Sequence, residues 1–178
     1  FLPERLSLSF YDGSREPYRY LTSRTAFVPI NAQYLYGAPA AGNKADAVVN
    51  VSAATDLFQQ WRDYAFGNPT EKIIQSTRKL SAITLDDNGD GAFAMPSEWT
   101  SVKAPLAMRI SASVYESGGR PVTRSQTVIS LPPGNQKFVG VRPQFETRPK
   151  ANQSVSFDLI SVDDNGQAQT DELEIKLI

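Results

Sequence analysis

The chain has 178 residues, of which 40% are hydrophobic and 21% charged, and its formal net charge is −1, with no cysteine and no histidine. These absences exclude disulfides and thiolate chemistry within this sequence and weigh against an enzyme, and the lack of a basic stripe argues against a nucleic-acid partner. No apolar run approaches the roughly 20 residues of a transmembrane helix, and the first residues lack a signal-peptide pattern, so we expect an internal piece of a longer protein.

Apolar and polar residues alternate through the first fifty residues, which is typical of half-buried β-strands. The first strand is predicted over 5–10, and residues 15–26 are interpreted as a loop or an edge strand. The next strand should have one face made of Ile30, Ala32, Tyr34 and Tyr36. Because Gly37 can adopt a positive φ and Pro39 has a fixed φ, we expect a hairpin-like corner there. The strand after the corner should bury Ala47, Val49, Val51 and Ala53.

Residues 55–67 form a segment rich in aromatic side chains. Thr55 or Asp56 could cap a short helix. The residues at helical spacing after that cap are Leu57, Phe58, Trp61 and Tyr64. We interpret the segment as an inter-strand connection that pins an aromatic cluster over the core. The alternative is a platform for a sugar or a peptide, formed by Trp61, Tyr64 and Phe66.

Four more strands are predicted in the middle of the chain, over 79–85, 92–95, 106–115 and 121–129. The third of these has the most regular alternation, so we expect it to be central in its sheet. Its predicted inner face consists of Leu106, Met108, Ile110, Ala112 and Val114. The fourth has mixed faces, as an edge strand would.

The best candidate for a linker is the segment 131–135, which contains Pro132 and Pro133. Neither proline can donate to a β-ladder, so we place a domain boundary there and predict domains at 1–131 and 132–178. The second domain should hold three strands, with inward side chains at Val155, Phe157, Leu159, Leu173, Ile175 and Leu177. We therefore predict an all-β protein, made of one immunoglobulin- or fibronectin-like antiparallel β-sandwich and part of a second.

An acidic turn occurs twice, at 83–89 and at 160–166, each time after a predicted strand. The first copy continues to Asp90 and Gly91 and matches the first half of a calcium loop, with Asp86, Asn88 and Asp90 as oxygen donors. The twelfth position, where a bidentate glutamate is needed, is Ser97, and Glu98 comes one residue late. The second copy has Gln167 and Ala168 in place of Asp90 and Gly91. We therefore interpret both copies as hairpin turns in which glycine supplies a positive φ.

No catalytic, cofactor-binding or metal-binding residue is predicted. The carboxylates of Asp86, Asp87 and Asp90 should be solvated, because nothing in the sequence buries them. Two glycosylation sequons, Asn50-Val51-Ser52 and Asn152-Gln153-Ser154, are interpreted as chance matches. No phosphate-binding glycine loop and no nucleophile elbow occurs.

Several motifs resemble the macroglobulin-like domains of the bacterial alpha-2-macroglobulin family. The segment 34–42 is similar to the pattern Tyr-x-Tyr-Gly-x-Pro-x-x-Gly of those domains, and residues 1–6 resemble the opening of one internal domain. Similar matches occur at 64–67 and 118–122, whereas 140–143 and the second acidic turn resemble the opening of the next domain. The resemblance identifies the chain as the fifth domain and the start of the sixth.

The resemblance implies a periplasmic inhibitor that traps proteases over a broad range after a bait segment is cleaved. Some members also have a thioester in a Cys-x-Glu-Gln motif, which this sequence lacks. The resemblance thus implies scaffold domains that contact other domains of the same longer chain, while target proteases are engaged by the full-length protein. Inner-membrane anchoring through a region outside this sequence is left open. Dimers or strand exchange through 132–178 are expected. The alternative to the inhibitor function is an adhesin or carbohydrate-binding module of a secreted or surface protein.

Overall fold

The computed structural model describes residues 4–10, 19–21, 27–54, 57–67, 76–99, 102, 104–116, 118, 120–132 and 137–176. Its strands are β1 (Leu6–Phe10), β2 (Arg19–Leu21), β3 (Phe27–Tyr34), β4 (Lys44–Ala53), β5 (Ala65–Phe66), β6 (Ser76–Lys79), β7 (Ile83–Thr84), β8 (Asp90–Ala94), β9 (Leu106–Tyr115), β10 (Val122–Leu131), β11 (Lys137–Pro143), β12 (Phe157–Asp163) and β13 (Ala168–Gln169). Two short 3₁₀ turns, Gln59–Trp61 and Ser97–Trp99, are the only helical elements in these ranges. None of the helices described is long and apolar enough to cross a membrane. The all-β prediction is confirmed.

The first compact unit comprises Phe1–Ala53 and Ile73–Pro133. Its smaller sheet has the order β1-β3-β8, and its larger sheet has the order β2-β10-β9-β4-β6, with β7 also paired to β4. All pairings are antiparallel except that of β2 with the last three residues of β10, which is parallel. The predicted edge strand therefore gains a second neighbour at Ile129–Leu131.

The core of the first unit lies on the inward faces of its strands, as the alternation predicts. In β9 every second residue from Leu106 to Val114 is buried, and β9 pairs with β4 on one side and β10 on the other, which confirms its central position. In β4 the predicted residues Ala47, Val49 and Val51 are buried, but Ala53 is exposed because the strand ends there.

The corner after β3 differs from the prediction by two residues. The chain reverses at Tyr34, whose N–H donates to the Ala38 carbonyl at 2.8 Å while its carbonyl accepts from the Gly37 N–H at 2.8 Å. Tyr36 therefore lies in the turn, with 78% of its surface exposed, and does not continue the inward face. Its ring instead stacks on that of Tyr34, with centroids 5.2 Å apart.

Two other predicted strands are also revised. The predicted strand over 79–85 is divided into β6 and β7, because Leu80–Ala82 make no ladder and Leu80 turns its side chain into the core. No strand forms in the described part of the predicted strand 173–177, since residues 170–176 follow an irregular path. The remaining residue of that strand, Leu177, lies outside the described ranges.

The second compact unit comprises Ala54–Lys72 and Gly134–Ile178. Its sheet has the order β13-β12-β11-β5, with every pairing antiparallel. Residues 54–72 were expected to pack with the first domain, yet the structure groups them with the second unit. The division near residue 133 lies close to the predicted boundary, and the assignment of 1–131 and 132–178 to two modules stays a prediction.

Candidate functional site: an aromatic arm on the second sheet

Residues 57–67, here called the aromatic arm, cover one face of the β11–β12 pair. The short helix predicted for this segment is only a single 3₁₀ turn, Gln59–Trp61, preceded by Phe58 in an extended conformation without a side-chain cap. Thr55 and Asp56 lie outside the described residues. The arm ends in β5, which pairs with β11 through Phe66↔Gly140 and Ala65↔Val141.

The apolar part of the arm fills the centre of the second unit. Phe58 is 1% exposed, and its ring meets those of Phe66 and Phe138 edge-on, with centroids 5.2 and 5.9 Å away. Phe138 pairs across the ladder with Val162, which is also buried. Aromatic rings in such edge-to-face contacts contribute about 0.5–1.5 kcal/mol beyond their area. This cluster is the core of the second unit.

The polar part of the arm binds the second acidic turn. The Trp61 indole N–H donates to the Gly166 carbonyl at 2.8 Å, and the Gln60 amide donates to the same oxygen at 3.0 Å. A carbonyl oxygen has two lone pairs, so the two donors saturate it.

A third contact joins Tyr64 to the sheet. The Arg142 guanidinium carbon lies 4.8 Å from the centre of the Tyr64 ring, at a distance typical of a cation–π contact. The Arg142 Nε donates to an Asp158 carboxylate oxygen at 3.0 Å, and the Gln144 amide donates to the other oxygen. The hydrogen bond from Arg142 is the largest cause holding the pKa of Asp158 below its ordinary value.

The three aromatic side chains proposed as a sugar platform are thus engaged inside the second unit. Phe66 is buried, the N–H of Trp61 is bonded to Gly166, and the Tyr64 ring lies against Arg142. A binding platform needs ring faces and polar groups open to a ligand. The arrangement therefore serves intramolecular packing.

The first acidic turn is a hairpin turn closed by its own aspartate. The Asp86 Oδ1 accepts from the N–H groups of Asn88 and Asp90 at 2.8 and 2.9 Å, and Gly89 has φ +79°. Asp90 accepts from the Asn31 amide at 2.7 Å. Glu98 accepts from Arg78 Nε at 2.9 Å.

The second acidic turn has the same geometry. The Asp163 Oδ1 accepts from the N–H groups of Asn165 and Gln167, both at 2.9 Å, and Gly166 has φ +77°. Among the residues that the structure describes, no three acidic side chains come together in a cation-binding arrangement. Of the sequon residues, Asn50 lies within β4 and accepts from the Thr77 hydroxyl, and Asn152 lies in a turn with φ +63°.

The opposite face of the β11–β12 pair is only partly covered, since Asp171 accepts from the Ser161 hydroxyl and pairs with Lys137, and the Phe145 ring meets that of Phe157 edge-on. Its exposed apolar side chains are Val139, Val141, Phe157 and Leu159. The predicted inward side chains of the second domain differ from the structure, which exposes them by 37–69%: Val155, Phe157, Leu159, Leu173 and Ile175. The covered face instead carries Phe138, Gly140 and Val162.

Comparisons with known proteins agree on one family. The family model of the bacterial alpha-2-macroglobulin MG5 domain matches residues 4–132. The chain is 36% identical over 175 residues to the alpha-2-macroglobulin of Xylella fastidiosa (strain Temecula1), which covers 96% of this chain and 10% of that protein. It is 32% identical over 149 residues to the alpha-2-macroglobulin of Escherichia coli K12, with 83% of this chain and 9% of that protein covered.

Solved structures agree with these relatives. Trypsin-activated alpha-2-macroglobulin from Escherichia coli superposes with a TM-score of 0.75 at 27% identity, over 93% of this chain and 12% of that one. Salmonella alpha-2-macroglobulin reacted with methylamine gives a TM-score of 0.72 at 27% identity, over 95% and 12%. The chain therefore spans about a tenth of the length of the relatives it matches.

Proposed function

The chain belongs to the bacterial alpha-2-macroglobulin family, and from this membership we propose that it is scaffold in a protease-trapping inhibitor. The observation that carries the proposal is the match of the fifth-domain family model to residues 4–132. The side chains of the described residues support a scaffold role, since the acidic turns and the aromatic arm are used in packing. On this proposal the chain is not an enzyme.

We further propose that residues 1–131 are the fifth module and that 132–178 begin the sixth. The partners of both are then other domains of the same longer protein, and target proteases are engaged by that protein as a whole. The proposed location is the periplasm, as the resemblance implies. The adhesin alternative loses support, because Trp61, Tyr64 and Phe66 are engaged within the second unit.

The functional test compares the full-length protein with this chain. The full-length protein, mixed with a protease such as trypsin, should protect large protein substrates while the protease still cleaves a small peptide substrate. This chain alone, which has no cysteine and no recognisable bait, should give no protection and no adduct stable to denaturing electrophoresis. A covalent band with this chain would contradict the scaffold role, and glycan binding without protease protection by the full-length protein would favour the adhesin.

The exposed apolar side chains on the partly covered face of the second sheet predict self-association of this chain. A contiguous apolar patch such as that of Val139, Val141, Phe157 and Leu159 recruits other chains in water. We expect light scattering to detect dimers whose fraction rises with concentration, and Val141→Lys to reduce that fraction by placing a charge within the patch. Tyr36→Lys, a change at an exposed aromatic of the first unit, is the control and should leave it unchanged. A strict monomer at high concentration would refute this prediction.

A further inference from the structure

The connection between β4 and β6 is far longer than the strands require. These strands pair directly as antiparallel neighbours, with Val51 opposite Ser76, so a hairpin loop of about two to five residues could join them. The chain instead runs from residue 54 to residue 75 before β6 begins. Loops longer than about 12–15 residues are uncommon in compact domains and are usually either functional or linker segments. The described part of this one, the aromatic arm, builds the core of the second unit.

The second sheet is shaped to receive the arm at two glycines. A Cβ on Gly140 would lie 2.7 and 2.8 Å from two carbons of the Phe66 ring. A Cβ on Gly166 would lie 2.5 Å from the Gln60 amide nitrogen and 2.6 Å from a ring carbon of Phe58. Such distances are not found for real side chains, so each glycine leaves room for a particular arm residue.

A comparison of the two acidic turns indicates that the arm takes the place in the second unit that β3 has in the first. In the first unit the Gly89 carbonyl accepts from the backbone N–H of Ala32, in β3, at 2.9 Å. In the second unit the corresponding Gly166 carbonyl accepts from the side chains of Gln60 and Trp61. The glycine carbonyl of this kind of turn therefore accepts a hydrogen bond from a strand of its own unit in the first case, and from the arm in the second.

We infer that the aromatic arm is an element supplied by the connection between two strands of the first unit, β4 and β6, and that the folded state of the second unit depends on it. The surface that receives it consists of the covered face of β11–β12 and the carbonyl of Gly166. Its occupant is the chain's own segment 57–67, recognised by short β-pairing, two phenylalanine rings and the Trp61 N–H. Displacing or cutting the arm then unfolds the second unit and leaves the first intact. This inference goes beyond the protease-inhibitor role and does not rest on it.

The test is a double-mutant cycle of Gly140→Ala and Phe66→Leu in the full chain, with hydrogen exchange measured by mass spectrometry; Phe66→Leu removes the ring carbons nearest Gly140 but keeps an apolar side chain in the core. Gly140→Ala should expel the Phe66 ring and reduce the ratio of folded to unfolded second unit by about tenfold or more. Protection should fall in β12, which does not pair with the arm, while protection in β9 of the first unit stays unchanged. In the Phe66→Leu background, Gly140→Ala should cost much less than in the native background, because the ring is gone and only the Ile160 methyl, 3.0 Å from the would-be Cβ, remains of the three nearest atoms.

Phe157→Ala, on the more exposed face of the same sheet, is the control and should change the exchange of β11 far less than Gly140→Ala. Full additivity of the two substitutions would mean that Gly140 does not serve to admit the arm. Loss of protection in β5 alone, with β11 and β12 still protected, would show that the arm is only a connection. Either of these results would overturn the inference, whereas coupled loss across β5, β11 and β12 would support it.

Discussion

Phe58→Ala is expected to unfold the second unit at room temperature while leaving the first unit folded. Phe58 is fully buried and contacts both Phe66 and Phe138, and removing such a ring typically costs about 3–5 kcal/mol. A unit built from two short stretches of chain has a small core, so a loss of this size removes most of its free energy of unfolding.

The two tryptophans allow each unit to be followed separately. Trp61 lies in the arm and Trp99 in the core of the first unit, so Trp99→Phe and Trp61→Phe backgrounds report one unit each in denaturant titrations. Phe58→Ala should abolish or strongly shift only the transition seen by Trp61. Phe157→Ala is the matched control and should cost clearly less than Phe58→Ala, because the Phe157 ring is half exposed, although it meets the Phe145 ring edge-on. Equal shifts of both transitions would contradict the assignment of the arm to the second unit.

Gly89→Val is expected to destabilise the first unit by about 3–4 kcal/mol, far more than Asp90→Ala. Gly89 has φ +79°, where a β-branched residue costs about 1–3 kcal/mol, and its Cβ would lie 2.2 Å from the Ala32 carbonyl oxygen. The turn must then move away from β3 and lose the hydrogen bond from Ala32 to Gly89. Asp90→Ala removes one exposed bond from Asn31 and should cost about 0.5–1.5 kcal/mol.

Gly118→Val separates the cost of backbone strain from the cost of the clash with Ala32, because Gly118 has φ +73° but no atom within 4 Å of its would-be Cβ. It should therefore show the backbone strain alone.

Calcium distinguishes a metal site from a turn, since calcium at 100 times its Kd would add about 2.7 kcal/mol of stability. We expect the Tm to be the same with calcium and with chelator. A calcium-dependent Tm, with Asp90→Ala costing more than Gly89→Val, would mean that these turns bind metal.

Local pattern predicts most of the first unit because each of its strands has one buried face. The alternation in β9 and β4 identifies which side chains enter the core, and a glycine in each acidic turn indicates the positive φ. The end of β3 was misplaced because Tyr36 fits the alternation as an apolar residue, although the hydrogen bonds of Tyr34 have already reversed the chain. Alternation records side-chain polarity but not the closure of a turn.

The destination of the arm could not be predicted from local pattern. Phe58 and Phe66 show that the segment 57–67 must be buried, yet nothing near them indicates which core they enter. The second sheet is ambiguous for a related reason, since both faces of β11 are apolar, with Phe138 on one and Val139 and Val141 on the other. The covered face is the one on which the rings of Phe58 and Phe66 lie, against Phe138 and Gly140. The repeat of the acidic turn was the available signal, because it marked Gly166 as the counterpart of Gly89.

The separation of the arm from its partner strands has a consequence for synthesis of the protein. The ribosome completes Phe66 well before β11 and β12, and at roughly 5–20 residues per second the interval is on the order of ten seconds. During that interval the nascent chain has finished β4 but holds an aromatic segment with no sheet to cover. Chaperones that bind extended aromatic segments can bind the arm during this period, and a translational pause before β11 should lengthen the period. Folding yield should therefore depend on how fast residues 68–163 are translated, even though the finished protein is unchanged.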